Sequence, residues 1–227
     1  GARLVLYDHL VSKEVLRYVA EDADLIYVGK ESSHHTLPQE AIIDLMVRLA
    51  RSGRSLVRLK GGDGFIFGRG GEEAQALAEA GIPFDVVPGI TAAQGAGAYA
   101  GIPLTHRDHA ATLVFATGHL RGENDVALDW ELLARPRQTV VIYMGIGTLP
   151  IICAELQRHG LPGDTPAALV EQATLPTQRC ITGTLQELPA LAQQHRVRPP
   201  ALIVIGGVVA LQPQLMQGMR SMAHWMD

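Results

Sequence analysis

The Gly61-Gly62-Asp63 turn combines residue types that suit the binding of a polar cofactor. It follows an apolar run at residues 55–59, and further glycines stand at positions 64, 68, 70 and 71. Glycine lets a backbone approach a ligand closely, and open α/β sheets bind ligands at the carboxyl ends of their strands. Asp63 could accept hydrogen bonds from a ribose or balance a cation; the alternative is a capping aspartate in a glycine-rich turn. The spacing fits neither a P-loop nor a dinucleotide fingerprint.

A second turn of similar composition lies at Pro88-Gly89. It follows the apolar run at residues 84–87, and small residues fill most of positions 92–98. Thr91 can cap the helix predicted after the turn. The small side chains let that helix lie close to another backbone or to an adenine-sized ring, with tight helix-on-sheet packing as the alternative.

Two charged residues stand directly after predicted strands. Asp8 follows the first apolar run and Lys30 follows the second. Taken alone, the sequence favours a helix cap near Ser12 for Asp8 and a solvated charge for Lys30.

Cations at strand ends and in loops are candidates for binding an acidic ligand. Guanidinium groups bind carboxylates bidentately, although each cation could instead be a surface charge. The candidates are Arg58, Lys60, Arg69, Arg107 and Arg121. The histidines at positions 34, 35, 106 and 109 lack further ligands at a plausible spacing, as do Cys153 and Cys180, so the sequence predicts no metal site.

The composition indicates a globular protein with a substantial core. The chain has 227 residues, 47% of them hydrophobic, and a formal net charge of −4. A chain of this length buries about 70–75% of its unfolded surface without needing disulfides. We expect a soluble cytoplasmic protein, since no signal-peptide pattern or spanning apolar run occurs. The mild acidity argues against general nucleic-acid binding.

Apolar runs rich in β-branched residues alternate with stretches of helical period, which predicts an α/β fold around a mostly parallel sheet. Strands are predicted at 3–7, 25–28, 55–59, 84–87, 112–116, 139–144, 167–171 and 201–205. Helices are predicted near 12–20, 38–51, 70–80, 91–99, 147–159 and 184–194. The turn-prone segment 101–107 predicts domains at 1–107 and 108–227, with a helical or frayed tail from about 212.

Four segments together resemble the motif set of the tetrapyrrole methylase family, most closely its uroporphyrinogen-III-methylating branch. They are residues 57–73, 87–93, 101–107 and 200–209, and the similarity runs from Arg3 to about Leu211. The resemblance implies two α/β domains with the cofactor in the cleft between them, and a homodimer. It implies S-adenosyl-L-methionine as the methyl donor and S-adenosyl-L-homocysteine as a product.

The resemblance also assigns roles to positions of this sequence. The family's cofactor contacts match Gly61, Gly62, Asp63, Ile66, Thr91, Ala92, Met144 and Ala173. Its proposed proton acceptor matches Asp8 and its proton donor matches Lys30. Because the implied substrate carries acetate and propionate groups, Arg58, Lys60 and Arg107 are expected to bind its carboxylates.

The implied reaction methylates two ring carbons of uroporphyrinogen III in turn and yields precorrin-2 for siroheme or cobalamin synthesis. Alternatives are methylation of another corrinoid, a diphthamide or a ribosomal RNA on the same fold, or an inactive tetrapyrrole- or cofactor-binding module. The family normally begins with a strand and a Gly-x-Gly-Pro-Gly-Asp-Pro loop, and neither precedes Asp8. We therefore expect one strand and part of the cofactor floor to be missing. Gly64 also replaces the usual proline, which should loosen the loop.

Overall fold

The computed structural model describes residues 3–29, 37–119, 126 and 128–219. The chain forms two compact units, Gly1–Thr91 and Ala92–Asp227. Each unit contains its own β-sheet together with helices. The α/β class expected from the sequence is therefore confirmed.

The first unit is built on a three-stranded parallel sheet. Its strands are β1 (Leu4–Tyr7), β2 (Asp24–Tyr27) and β3 (Val57–Leu59), in the spatial order β2-β1-β3. Its helices are α1 (Lys13–Leu16), α2 (Gln39–Arg51) and α3 (Gly70–Glu79). Parallel pairing of β1 with both neighbours places all three carboxyl ends at one edge of the sheet. The residues that follow the strands, among them Asp8 and Lys60, consequently share that edge.

Helix α2 shows how the local sequence builds this unit. Pro38 precedes the helix with an extended backbone (φ −62°, ψ 157°). The apolar positions of α2 recur at helical spacing, and Ile42 and Met46 are buried. They pack with Leu4 and Leu6 of β1 in the core of the first unit.

The strand predicted at residues 84–87 does not form. Val86 and Val87 are 46% and 86% exposed, and no strand within the described residues pairs with this segment. A strand is stabilised by backbone hydrogen bonds to a neighbouring strand. Apolar, β-branched composition favours extended backbone but does not provide that partner.

The second unit contains a five-stranded mixed sheet in the order β4-β5-β8-β6-β7. Its strands are β4 (Thr112–Thr117), β5 (Gln138–Tyr143), β6 (Pro166–Glu171), β7 (Arg179–Thr184) and β8 (Ala201–Ile205). Its helices are α4 (Ala92–Ala100), α5 (Trp130–Leu133), α6 (Leu149–Arg158), α7 (Leu188–Gln194) and α8 (Gln212–Gly218), with 3-10 turns at Ile146–Thr148 and Gly207–Leu211. The sequence predictions omitted β7 and α5. Of the tail expected from about 212, the structure describes α8 and Met219 and no residue beyond them.

The expectation of a mostly parallel sheet is wrong for the second unit. Only β4 and β5 pair in parallel, and the other three pairings are antiparallel. Strands β6 and β7 are joined by the turn at residues 172–178, and a short turn can link only antiparallel neighbours. Residues 92–107, placed in the first domain from the sequence, lie in the second compact unit, where α4 contacts β8.

The described part of the chain contains no helix long and apolar enough to cross a membrane. Among those same residues, no cluster of three or more His, Cys, Asp or Glu side chains could hold a metal ion. Burial raises the pKa of Cys153 to about 12 and that of Cys180 to about 11. Both thiols therefore stay protonated near neutral pH.

Adjacent isoleucines on α6 predict a sharp difference in stability. Ile152 is fully buried against the sheet, whereas Ile151 is 38% exposed. We expect Ile152→Ala to lower the free energy of unfolding by about 2–5 kcal/mol, since it leaves a cavity. Ile151→Ala is the matched control and should cost less than about 1 kcal/mol. Urea unfolding measures both values; equal losses would contradict the packing described.

Candidate active site

Four charged side chains form a cluster at the carboxyl edge of the first unit's sheet. Asp8 follows β1, Arg58 and Lys60 lie in and after β3, and Glu73 lies in the first turn of α3. Their side chains are 20%, 10%, 14% and 4% exposed, respectively. Two carboxylates and two cations thus balance each other in a largely desolvated group.

Arg58 links the two carboxylates of the cluster. Its Nη2 donates to Oδ2 of Asp8 at 2.9 Å, and its Nε donates to Oε1 of Glu73 at 3.3 Å. Its Nη1 donates to the carbonyl oxygen of Leu59 at 2.8 Å. All three nitrogens of the guanidinium are thus engaged within the protein, so Arg58 is no surface charge.

Asp8 does not cap the first helix. That role falls to Ser12, whose hydroxyl accepts from the backbone N–H of Val15. The Oδ1 atom of Asp8 instead accepts from the backbone N–H of Leu10 at 3.0 Å. Together with Arg58 on Oδ2, this contact gives the carboxylate a defined orientation at the sheet edge.

Lys60 is held mainly by Glu73. Its Nζ lies 3.4 Å from Oε1 of Glu73. Burial and the neighbouring Arg58 lower the pKa of Lys60, while Glu73 and Asp8 act in the opposite direction. An ammonium has three donors, so Lys60 retains donors for a further acceptor.

The two glycine turns of the first unit meet at the carboxylate of Asp63. Its Oδ1 accepts from the N–H of Phe65 and its Oδ2 from the N–H of Gly89, both at 2.9 Å. A Cβ atom on Gly89 would overlap the carbonyl oxygen of Gly62 and lie 3.1 Å from its carbonyl carbon. Gly62 itself has a φ of +74°, which favours glycine. The result is a cradle of bare backbone beside the strand ends.

The same hydrogen bonds affect the titration of Asp63. Donation from Gly89, and then from Phe65, lowers the pKa of this carboxyl below its ordinary value of 3.8. Because the pKa is lowered, the hydrogen bond from Gly89 to the Asp63 carboxylate is fully formed at pH values above the ordinary pKa of 3.8. It is lost as the pH falls through the lowered pKa.

We therefore expect the amide resonance of Gly89 to titrate with a midpoint below 3.8. A pH series of nitrogen–proton correlation spectra measures this midpoint. Asp63→Asn serves as the control because its side chain cannot ionise and should abolish the transition. A Gly89 midpoint at or above 3.8 would contradict the contact.

Of the remaining predicted cofactor residues, Ile66 and Thr91 belong to the first unit, and Ala92, Met144 and Ala173 belong to the second. Ile66 is partly buried, Thr91 is 3% exposed, and Ala92 begins α4. Met144 follows β5 with a φ of +53° and is 54% exposed, and Ala173 follows β6. Met144 and Ala173 thus both follow strands of the second sheet.

Helix α4 makes the close approach that its small residues predict. A Cβ on Gly95 would lie 2.9 Å from Cγ2 of Thr174. The N–H of Ala93 donates to the hydroxyl oxygen of Tyr143 at 3.0 Å, in a buried contact. This contact ties the start of α4 to the end of β5, directly beside Met144.

Two predicted substrate or catalytic residues lie outside these clusters. Arg107 is exposed, and its guanidinium forms no salt bridge with any residue that the structure describes. Lys30 lies outside the described residues, as do Arg121, His34 and His35. Their predicted roles stay predictions.

Sequence reasoning missed the contributions of Glu73 and Tyr143. It also missed Gln39, whose Nε2 donates to Oε1 of Glu73 at 3.1 Å. The carboxylate of Glu73 is buried where it meets Arg58 and Lys60 at the end of β3. Two adjacent acidic residues in the first turn of α3, Glu72 and Glu73, were the one available signal.

A parallel sheet whose strand ends carry a bare-backbone cradle and a balanced group of charges is the arrangement at which open α/β proteins typically bind small molecules. The family model described as Tetrapyrrole (Corrin/Porphyrin) Methylases matches residues 1–189. The chain therefore belongs to the tetrapyrrole methylase family.

Similar proteins agree with this family assignment. A siroheme synthase from Thioalkalivibrio sulfidiphilus is 56% identical over 94% of this chain and 44% of its own length. A uroporphyrin-III C-methyl transferase from Thermus thermophilus, complexed with S-adenyl homocysteine, is 39% identical over 92% of this chain and 88% of its own, with a TM-score of 0.77. A cobalt precorrin-4 methyltransferase is 25% identical over 92% of this chain and 85% of its own, with a TM-score of 0.79. The chain spans less than half the length of the curated siroheme synthases that it matches.

Proposed function

We propose that this chain catalyses the S-adenosyl-L-methionine-dependent C-methylation of uroporphyrinogen III, in two successive steps that yield precorrin-2. The observation that carries the proposal is the orientation of Asp8. Its two oxygens are held by Arg58 and by the backbone of Leu10, beside the cationic Lys60. A carboxylate held in this way can take a proton from a bound macrocycle.

The chemistry explains why a base is needed. S-adenosyl-L-methionine supplies a methyl group that its sulfonium already activates, so the protein mainly aligns the reactants and excludes water. The nucleophile is a pyrrole carbon, and its methylation leaves the macrocycle with a proton to lose. Asp8 accepts that proton. Lys30 returns a proton or holds a carboxylate, as the family resemblance implies.

The residues of the first cradle fit the proposed cofactor. Gly61, Gly62 and Gly89 have no side chains of their own, so their backbone can approach the cofactor closely; on its other side, Gly61 packs against the backbone and Cβ of Leu10. Both oxygens of Asp63 already accept from backbone amides, and each retains acceptor capacity for a ribose hydroxyl.

The other predicted contacts offer different chemistry. Ile66, Met144 and Ala173 present apolar groups, and Thr91 and Ala92 stand at the start of α4. We propose that these residues also contact the cofactor.

Substrate carboxylates are proposed to bind Lys60 and Arg107. Lys60 has spare donors, and Arg107 is exposed with no salt bridge among the described residues. For Arg58, the three hydrogen bonds to Asp8, Glu73 and Leu59 favour orientation of Asp8 over the direct substrate contact predicted from the sequence.

Two measurements test the proposal. Calorimetry with S-adenosyl-L-homocysteine should show micromolar binding, and incubation with uroporphyrinogen III and the methyl donor should yield a doubly methylated product by mass spectrometry. Binding without product would favour an inactive cofactor-binding module. A folded sample that neither binds nor methylates would overturn the assignment. Methylation of a later corrinoid alone would show that the chain is a methyltransferase of this family with a different substrate.

We further propose that the active species is a homodimer in the cytoplasm. The family resemblance supports the dimer, and protonated free thiols at Cys153 and Cys180 suit a reducing compartment. Sedimentation equilibrium should give twice the chain mass, and a monomer at micromolar concentration would contradict the proposed dimer. Fractionation of native cells tests the proposed cytoplasmic location.

A further inference from the structure

Glu73 is the most buried member of the charged cluster, and its carboxylate accepts hydrogen bonds from three side chains. Oε1 of Glu73 accepts from Nε of Arg58 at 3.3 Å, from Nζ of Lys60 at 3.4 Å and from Nε2 of Gln39 at 3.1 Å. The side chain is only 4% exposed. A carboxylate removed from water needs such partners, and two of these partners belong to the proposed machinery.

We propose that Glu73 is a positioning residue for the methylation reaction, which holds Arg58 against Asp8 and keeps Lys60 beside them as a carboxylate-binding cation. This inference rests on the proposed function of the site. Glu73 touches neither cofactor nor substrate in this role. It acts through Arg58 and Lys60.

The geometry of the guanidinium transmits the position of Glu73 to Asp8. A guanidinium is a rigid planar fork, so fixing Nε on Glu73 and Nη1 on the carbonyl of Leu59 also fixes the direction of Nη2. That nitrogen donates to Oδ2 of Asp8 at 2.9 Å. The only other side-chain hydrogen bond found for Asp8 among the described residues comes from the N–H of Leu10. Without Glu73, Asp8 would be oriented by a partner that is itself free to rotate.

The charge of Glu73 also acts on Lys60. Three charged groups act on this ammonium: Arg58 of β3, Glu73 of α3 and Asp8 after β1. Burial and Arg58 lower the pKa of Lys60, whereas Glu73 and Asp8 raise it. Removing the charge of Glu73 therefore lowers the pKa of Lys60 further, and the amine loses its charge at a lower pH.

Glu73→Gln tests the inference because it keeps the shape of the side chain and removes only its charge. We expect kcat to fall about tenfold or more, since the base loses its fixed orientation, and KM for the tetrapyrrole to rise. The alkaline limb of kcat/KM should move to lower pH. Affinity for S-adenosyl-L-homocysteine should stay at the wild-type value, because the cradle around Asp63 is untouched. Wild-type kcat/KM with an unmoved alkaline limb would overturn the inference.

Two further variants separate positioning from simple stabilisation. Glu79 lies on the same helix, is exposed and, among the described residues, accepts a side-chain hydrogen bond from Gln75. Glu79→Gln should therefore leave kcat and the pH profile unchanged. Glu73→Asp keeps the charge but withdraws the carboxylate, so it should lower kcat several-fold and leave the alkaline limb in place. If Glu73→Gln does not fold, full activity of Glu73→Asp overturns the inference. An inactive wild type would instead refute the proposed function.

Discussion

Replacing Asp8 with asparagine is expected to lower kcat about 10²–10⁴-fold, the usual contribution of a general base. Asparagine keeps the oxygen that accepts from Leu10 but cannot take up the proton that the methylated macrocycle must lose. Steady-state methylation of uroporphyrinogen III measures the loss. Affinity for S-adenosyl-L-homocysteine should remain unchanged, because the carboxylate of Asp8 is not part of the cradle formed by Gly62, Asp63 and Gly89.

Asp22→Asn provides the matched control for this variant. Asp22 belongs to the same unit, its side chain is 69% exposed, and its contact with Arg3 is 4.0 Å long. We expect it to leave both turnover and binding as in the wild type. Unchanged turnover in Asp8→Asn would remove Asp8 from the mechanism. A loss of cofactor binding along with turnover would show instead that the substitution disturbs the whole sheet edge.

The second large effect is expected from Gly89→Ala. The added Cβ would overlap the carbonyl oxygen of Gly62 and lie 3.3 Å from Cα of Asp63, so the two turns must separate. Such overpacking typically costs about 1–3 kcal/mol. If this free energy is lost from cofactor binding by the cradle, it corresponds to about a ten- to hundredfold loss of affinity for S-adenosyl-L-homocysteine. Isothermal titration measures that affinity directly.

Gly71→Ala is the control for the glycine substitution. A Cβ at Gly71 would meet no described atom within 4 Å, and the residue lies in helix α3 without a positive φ. Alanine is the better helix former by about 0.5–1 kcal/mol, so stability should hold or rise slightly and affinity should not change. Equal affinity in Gly89→Ala and the wild type would show that the cradle does not bind the cofactor.

The helices were easier to predict from the sequence than the sheet pairings. The predicted helix 38–51 agrees with α2 because its period and its proline start are properties of consecutive residues. The strand predicted at 84–87 has the composition of a strand but finds no partner within the described residues. Strand β7, at Arg179–Thr184, was missed because its alternation is weak and its pairing with β6 is what defines it.

In the candidate site too, local features were predicted from the sequence and contacts between distant residues were not. The turn at residues 61–63 was predicted from its glycines, since their conformational freedom is local. The ionic links of the cluster were not predicted, because Arg58 stands 15 residues from Glu73 and 50 residues from Asp8. Arg58 was expected to bind the substrate. Its hydrogen bonds to two protein carboxylates and a carbonyl support a different role.

By itself, the amino-acid order determined the α/β class and the glycine turns, because each depends on residue type and on near neighbours in the chain. The candidate base, Asp8, came from the resemblance to the family. Only the tertiary structure decided which charge meets which, that Glu73 is buried among two cations, and that the second sheet is mixed. Hydrogen bonds and strand pairings join residues far apart in the chain. Their partners are therefore selected by packing rather than by spacing.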